Sequence, residues 1–119
     1  MAGDQEREFD ETARAIARLN DAFRSTFNAA AGHVVAKSGF NALPENDKRT
    51  FVGLVQSFNA FDEENDLQDE HSFGRVEHGG EEVFWKIDYY DKSVQWASPD
   101  PSDPDLTHRV LTLMLANEY

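Results

Sequence analysis

The stretch HSFGRVEHGGEEVFWKIDYY, His71 to Tyr90, decides the fold. Two runs rich in β-branched and aromatic residues, His71 to Glu77 and Glu82 to Tyr90, flank His78, Gly79 and Gly80, and paired glycines supply the positive φ that a tight hairpin turn demands. In the second arm Val83, Trp85, Ile87 and Tyr89 share one face while Phe84, Lys86, Asp88 and Tyr90 share the other. Aromatics thus stand on both faces. A strand of that kind belongs inside a sheet, covered by helices on one side and by loops or a partner on the other.

Downstream, Asp91, Lys92 and Ser93 predict a turn into a third meander strand, Val94 to Ala97. Ser98 to Pro104 holds three prolines in seven residues, too few donors for a sheet ladder. Asp103 and Pro104 suit the N-cap and first turn of a final helix, on which Leu106, Val110, Leu113 and Met114 would line a buried face widened by Leu111 and Leu115. Upstream, Phe9, Ala13, Ile16, Phe23 and Phe27 recur at threes and fours from Asp4 to about Ala29, with Asn20 the one polar interruption. That is an amphipathic helix. Its other faces alternate Arg7, Arg14, Arg18 and Arg24 with Asp10, Glu11 and Asp21. His33 to Lys37 reads as a short strand, Ser38 to Leu43 as a loop, and Pro44 as the opening of a second helix with Phe51, Leu54, Val55 and Phe58 on its core face. The predicted order is α-β-α-β-β-β-α. It makes one α+β domain over residues 1–119, three helices on a mainly antiparallel sheet of about four strands.

The chain has 119 residues and a formal net charge of −12, while 39% hydrophobic residues are enough for a core. Between Asn59 and Asp105 fourteen acids face three bases, a net of −11, so the acidity is regional. Such a charge disfavours direct contact with nucleic acid or an anionic membrane, since both repel a polyanion. No Cys is present, which removes disulfides, thiolate nucleophiles and sulfur-bound zinc. MAGDQEREFDE has acids where a signal peptide needs an apolar run, and a cytoplasmic address is expected.

In the acidic connector, residues 59–70, Asp62, Glu64 and Asp66 alternate as in the first half of an EF-hand loop, but Leu67 stands where Gly is required and Phe73 where a bidentate Glu is required. His71 lies beside Asp69 and Glu70, and His78 sits at the hairpin tip, yet no paired-histidine spacing occurs. His33 and His108 have no acidic cluster around them. Lys86 and Asp88, two apart on one strand face, would compensate each other. No nucleophile elbow, phosphate loop or dinucleotide fingerprint appears. No catalytic residue, cofactor or metal centre is therefore expected.

LNDAFR (Leu19 to Arg24), FDEENDLQDEHSFG (Phe61 to Gly74), FWKIDYYD (Phe84 to Asp91) and RVLTLMLANEY (Arg109 to Tyr119) together resemble the small bacterial family catalogued as domain of unknown function 3768. The resemblance runs from about Leu19 to Tyr119, leaving residues 1–18 outside. It implies products of plasmids, phages and integrated elements, and it carries over no activity or active site.

The residues point first to an acidic interaction domain docking on a basic protein. In its sharper form this is a nucleic-acid mimic that blocks a host-defence or DNA-processing protein of a mobile element's host. The candidate surface comprises Asp62, Glu63, Glu64, Asp66, Asp69, Glu70, Glu77, Glu81, Glu82, Trp85, Asp88, Tyr90 and Asp91, with Tyr89 and Trp96 as further aromatic anchors, two of the four aromatics being expected in the core. The alternative is a small enzyme or ligand-binding domain with a pocket near Glu70, His71, Lys86, Asp88 and Tyr90.

Overall fold

The computed structural model describes residues 2–119, with side chains from Asp10 onward; Phe9 of the helical stripe and Arg7 of its charged faces lie outside the described side chains. Helix α1 spans Ala2–Thr26, strand β1 Gly32–Ala36, helix α2 Ser38–Asn41 and helix α3 Glu45–Gln56. Strand β2 (Phe73–His78), strand β3 (Glu81–Tyr90) and strand β4 (His108–Leu115) follow, and a 3-10 turn closes the chain at Ala116–Glu118. The four strands form one sheet in the order β1-β4-β3-β2, with β1 parallel to β4 and the other two pairings antiparallel. Among the described residues the fold is α+β, with three helices and a four-stranded mixed sheet.

The hairpin forms as its sequence dictates. Gly79 and Gly80 take φ of 60° and 82°, and His78 pairs with Glu81 across the turn. Strand β3 lies inside the sheet, and Val83, Trp85 and Ile87 are buried against the helices. The core on that face gathers Phe23 of α1, Phe40 of α2, Phe51 and Val55 of α3, and Leu111 and Leu113 of β4. Burying each such side chain contributes about 1.5–3 kcal/mol.

Residues 108–115 are a strand where a final helix is expected. The apolar spacing of this segment arises because both faces of an interior strand are buried: Arg109, Leu111 and Leu113 on the helix side, Val110, Thr112 and Met114 on the other. A short apolar run of this kind fits a buried helix or a buried strand equally by periodicity; pairing with β1 and β3 selects the strand. The expected strand Val94 to Ala97 reduces to a single bridge between Tyr90 and Ala97. Val94 takes φ of 57°, a left-handed conformation that breaks an extended run and strains a β-branched residue. The expected loop after β1 contains α2 instead, whose first amides are held by the Glu118 carboxylate: Gly39 and Phe40 donate to it at 2.7 and 3.1 Å. α1 ends at Thr26, short of the expected Ala29, because Phe27 adopts φ of 52°.

Candidate functional site

Each acid of the 59–105 window has a definite place, and several serve the backbone. Asp62 accepts from the amides of Glu64 and Asn65 at 2.9 Å, shaping the connector turn. Asp91 holds the turn after β3 by accepting from Ser93 Oγ and the Gln95 amide, and these bonds keep its carboxyl below the ordinary aspartate range. Asp100 and Asp103 cap Ser102 and Asp105 in the proline-rich loop. Asp66 is buried, 7% exposed, and accepts from the His71 amide. Glu82 pairs with Arg75 at 3.2 Å and Asp88 with Lys86 at 3.2 Å, the latter pair as expected. Glu63, Glu64, Asp69, Glu77 and Glu81 are exposed and make no ion pair among the described residues.

A groove of about 580 Å³ runs between the connector and the sheet. Phe58, Phe73 and Phe84 give it apolar walls, Asp62 and Glu64 stand on its rim, and Arg75 is its only cation among the described residues. Phe73, Phe84 and Tyr119 form a mutually edge-on trio beside it, with centroids 5.3 to 5.6 Å apart. Trp85, taken from the sequence as part of an interaction surface, has no exposed area and leaves that surface. It packs edge-on against Phe58 and Phe61, and its Nε1 has no hydrogen-bond partner. Among the other aromatics Tyr89 and Tyr90 are half-buried and Trp96 is 72% exposed.

Between α1 and the sheet lies a polar seam that the sequence did not reveal. Asn20, fully buried, donates to the Glu70 carbonyl and the Tyr89 hydroxyl at 2.8 Å each and accepts from Arg109 Nε at 2.7 Å. Tyr89 donates to Glu70 Oε1 at 2.8 Å, and Arg109, 2% exposed, donates to the Pro101 carbonyl and lies over the Tyr89 ring. Burial pushes the Tyr89 phenol up, with Glu70 adding to the shift, and burial pulls the Arg109 guanidinium down. One turn on, Arg24 is buried: it donates to the Val55 and Phe58 carbonyls and pairs with Asp21 at 2.9 Å. His71 places Nδ1 3.0 Å from Asp21 and Nε2 3.5 Å from Asp66, and stacks on Phe61 at 3.9 Å. Among the described residues Trp85 Nε1 is the one buried side-chain nitrogen or oxygen without a partner, and pairing is the condition for burying such groups without a large penalty.

Glu70 and His71 belong to this seam on the helix-covered face, whereas Lys86, Asp88 and Tyr90 alternate onto the opposite face of β3. The sheet itself separates the members of the constellation proposed for a pocket. On that face, at its β1 edge, His33 Nδ1 and His108 Nε2 stand 2.7 Å apart. Among the described residues no group of three or more His, Asp or Glu gathers around a metal-sized space.

Residues 36–118 match the family described as Protein of unknown function (DUF3768). The chain belongs to this family. No curated protein and no solved structure matches it. The DUF3768 match starts at the end of β1, later than the Leu19 suggested by LNDAFR, so α1 and its contributions to the seam lie outside the matched residues. Among the described residues no helix is long and apolar enough to cross a membrane.

Proposed function

We propose that this protein is an acidic interaction domain that seats a basic protein segment in the groove between the connector and strand β2. The observation that carries this is the groove's composition: phenylalanine walls, a carboxylate rim, and a single cation already tied to Glu82. Aromatic walls offer pockets for anchor side chains, while a rim of one sign steers the encounter and selects the partner's charge. Glu63, Glu64, Glu77 and Glu81 extend that field with carboxylates that no cation neutralises among the described residues. In the sharper form of the proposal the partner is a nucleic-acid-binding protein of the cytoplasm, such as a bacterial defence or DNA-processing factor, and the carboxylates stand in for phosphates.

The test uses a labelled peptide rich in Lys, Arg and aromatic residues, titrated with the protein at low and at physiological ionic strength. Saturable binding is expected, weakened by salt. The double change Glu63→Lys with Glu64→Lys should weaken it about tenfold, and Phe84→Ala should weaken it at either salt concentration. A DNA-binding peptide released from duplex DNA by the protein would support mimicry. Affinity untouched by both the charge reversal and Phe84→Ala sinks the proposal.

A further inference from the structure

We propose that His33 and His108 form an open two-histidine site for a divalent transition-metal ion, with Cu²⁺ the preferred occupant. The two side chains come from neighbouring strands. β1 runs parallel to β4 with Gly32 opposite Arg109 and His33 opposite Val110, so His33 and His108 are diagonal neighbours on the face that no helix core residue shares. Their ring nitrogens, Nδ1 of His33 and Nε2 of His108, face each other at 2.7 Å, with ring centroids 4.9 Å apart.

The spacing brings both nitrogens within reach of one ion. Two nitrogens bound about 2.0–2.1 Å from one ion stand about 2.9 Å apart at a right angle and about 3.3 Å apart at the tetrahedral angle. The observed 2.7 Å opens by a few tenths of an ångström to reach either arrangement. Imidazole nitrogens in a tetragonal arrangement suit Cu²⁺ and Ni²⁺, and Cu²⁺ stands highest in the divalent affinity order. On binding, the proton between the facing nitrogens passes to the far nitrogen of the ring that carried it, so both rings stay neutral and both lone pairs turn to the metal.

The other two histidines are differently engaged: His71 faces Asp21 and Asp66, and His78 faces Asp47 at 3.2 Å. Among the described residues the His33–His108 pair has only each other as a side-chain hydrogen-bond partner. With no third protein ligand among the described residues, the remaining coordination positions belong to water or to a partner's donor. Lys92 is the cation whose charge reaches His108, and it opposes an incoming metal ion.

The untagged chain is titrated with CuCl₂, with visible circular dichroism reporting imidazole–copper bands and calorimetry reporting stoichiometry. One site per chain is expected. His33→Ala and His108→Ala each weaken it about tenfold or more, His78→Ala leaves it unchanged, and Lys92→Gln tightens it. His33 is exposed and His108 half-buried at the start of β4, so the variants are expected to fold, and ¹⁵N spectra of the unaltered chain with Zn²⁺ give an independent readout through shifts at His33 Nδ1 and His108 Nε2. Copper binding that survives both alanine substitutions, or spectral shifts confined to His71 and His78, overturns the proposal.

Discussion

Gly32 lies so close to β4 that a Cβ added there would run into the backbone carbonyl of Arg109. That carbonyl belongs to a paired strand and cannot swing aside, so Gly32→Ala should destabilise the protein by about 1–3 kcal/mol, read as a fall in the denaturation midpoint; an unchanged midpoint would contradict the close parallel pairing. Asn20 teaches the converse point. In the sequence it reads as a flaw in an apolar stripe, yet its amide joins Tyr89, Glu70 and Arg109 across 50 to 89 residues of chain. A polar residue at a core position of an amphipathic helix is a signal that a buried polar partner exists, and the sequence offers no means of naming it. Arg24 carries the same signal less visibly, since its periodicity permits a place on the charged flank of α1 and only the Val55 and Phe58 carbonyls draw it inward.

At the scale of elements, the hairpin was legible because its turn and alternation are local properties, and β3 was legible as interior because it is apolar on both faces. β4 was not. Its register depends on strands that lie far away in sequence, and a buried run of eight residues carries no periodic mark of its own. The short helix α2 was missed for a related reason: its amides are satisfied by Glu118, from the other end of the chain. That staple gives a pH-dependent prediction. Backbone donors from Leu115, Gly39 and Phe40 hold the Glu118 carboxyl below its ordinary value of 4.5, so its contribution to stability is present above that value and is lost as pH falls through the lower folded-state value. Glu118→Gln should therefore lower the thermal midpoint at neutral pH, and the gap from the unaltered protein should close in acid. A constant gap across pH would remove the carboxylate's role.

For the whole molecule, the family match and the folding unit do not coincide. Residues 36–118 match, but the core they build is closed by Phe23, and Arg109 and Tyr89 are satisfied by Asn20, all from α1. A chain starting at Ala36 would also leave β4 without its parallel neighbour β1. Such a fragment is expected to lack a cooperative thermal transition and dispersed amide resonances, because it exposes Trp85 and orphans a buried cation; a sharp transition near that of the full chain would show that α1 is dispensable. The net charge changes meaning at this scale too. Part of the −11 in the 59–105 window is spent on turns, through Asp62, Asp91, Asp100 and Asp103, and the carboxylates left unpaired lie mostly on the connector and the hairpin, with Asp105 apart from them.

The sequence by itself determined the α+β class, the β2–β3 hairpin, the second long helix and the regional acidity, because turn chemistry, alternation and charge are written in adjacent residues. The tertiary structure alone decided that the last apolar run is a strand, that Trp85 is core, that Asn20 joins α1 to the sheet, and that His33 meets His108. Each of those depends on which distant segment a residue touches, and contact between segments is fixed by the packing of the whole chain.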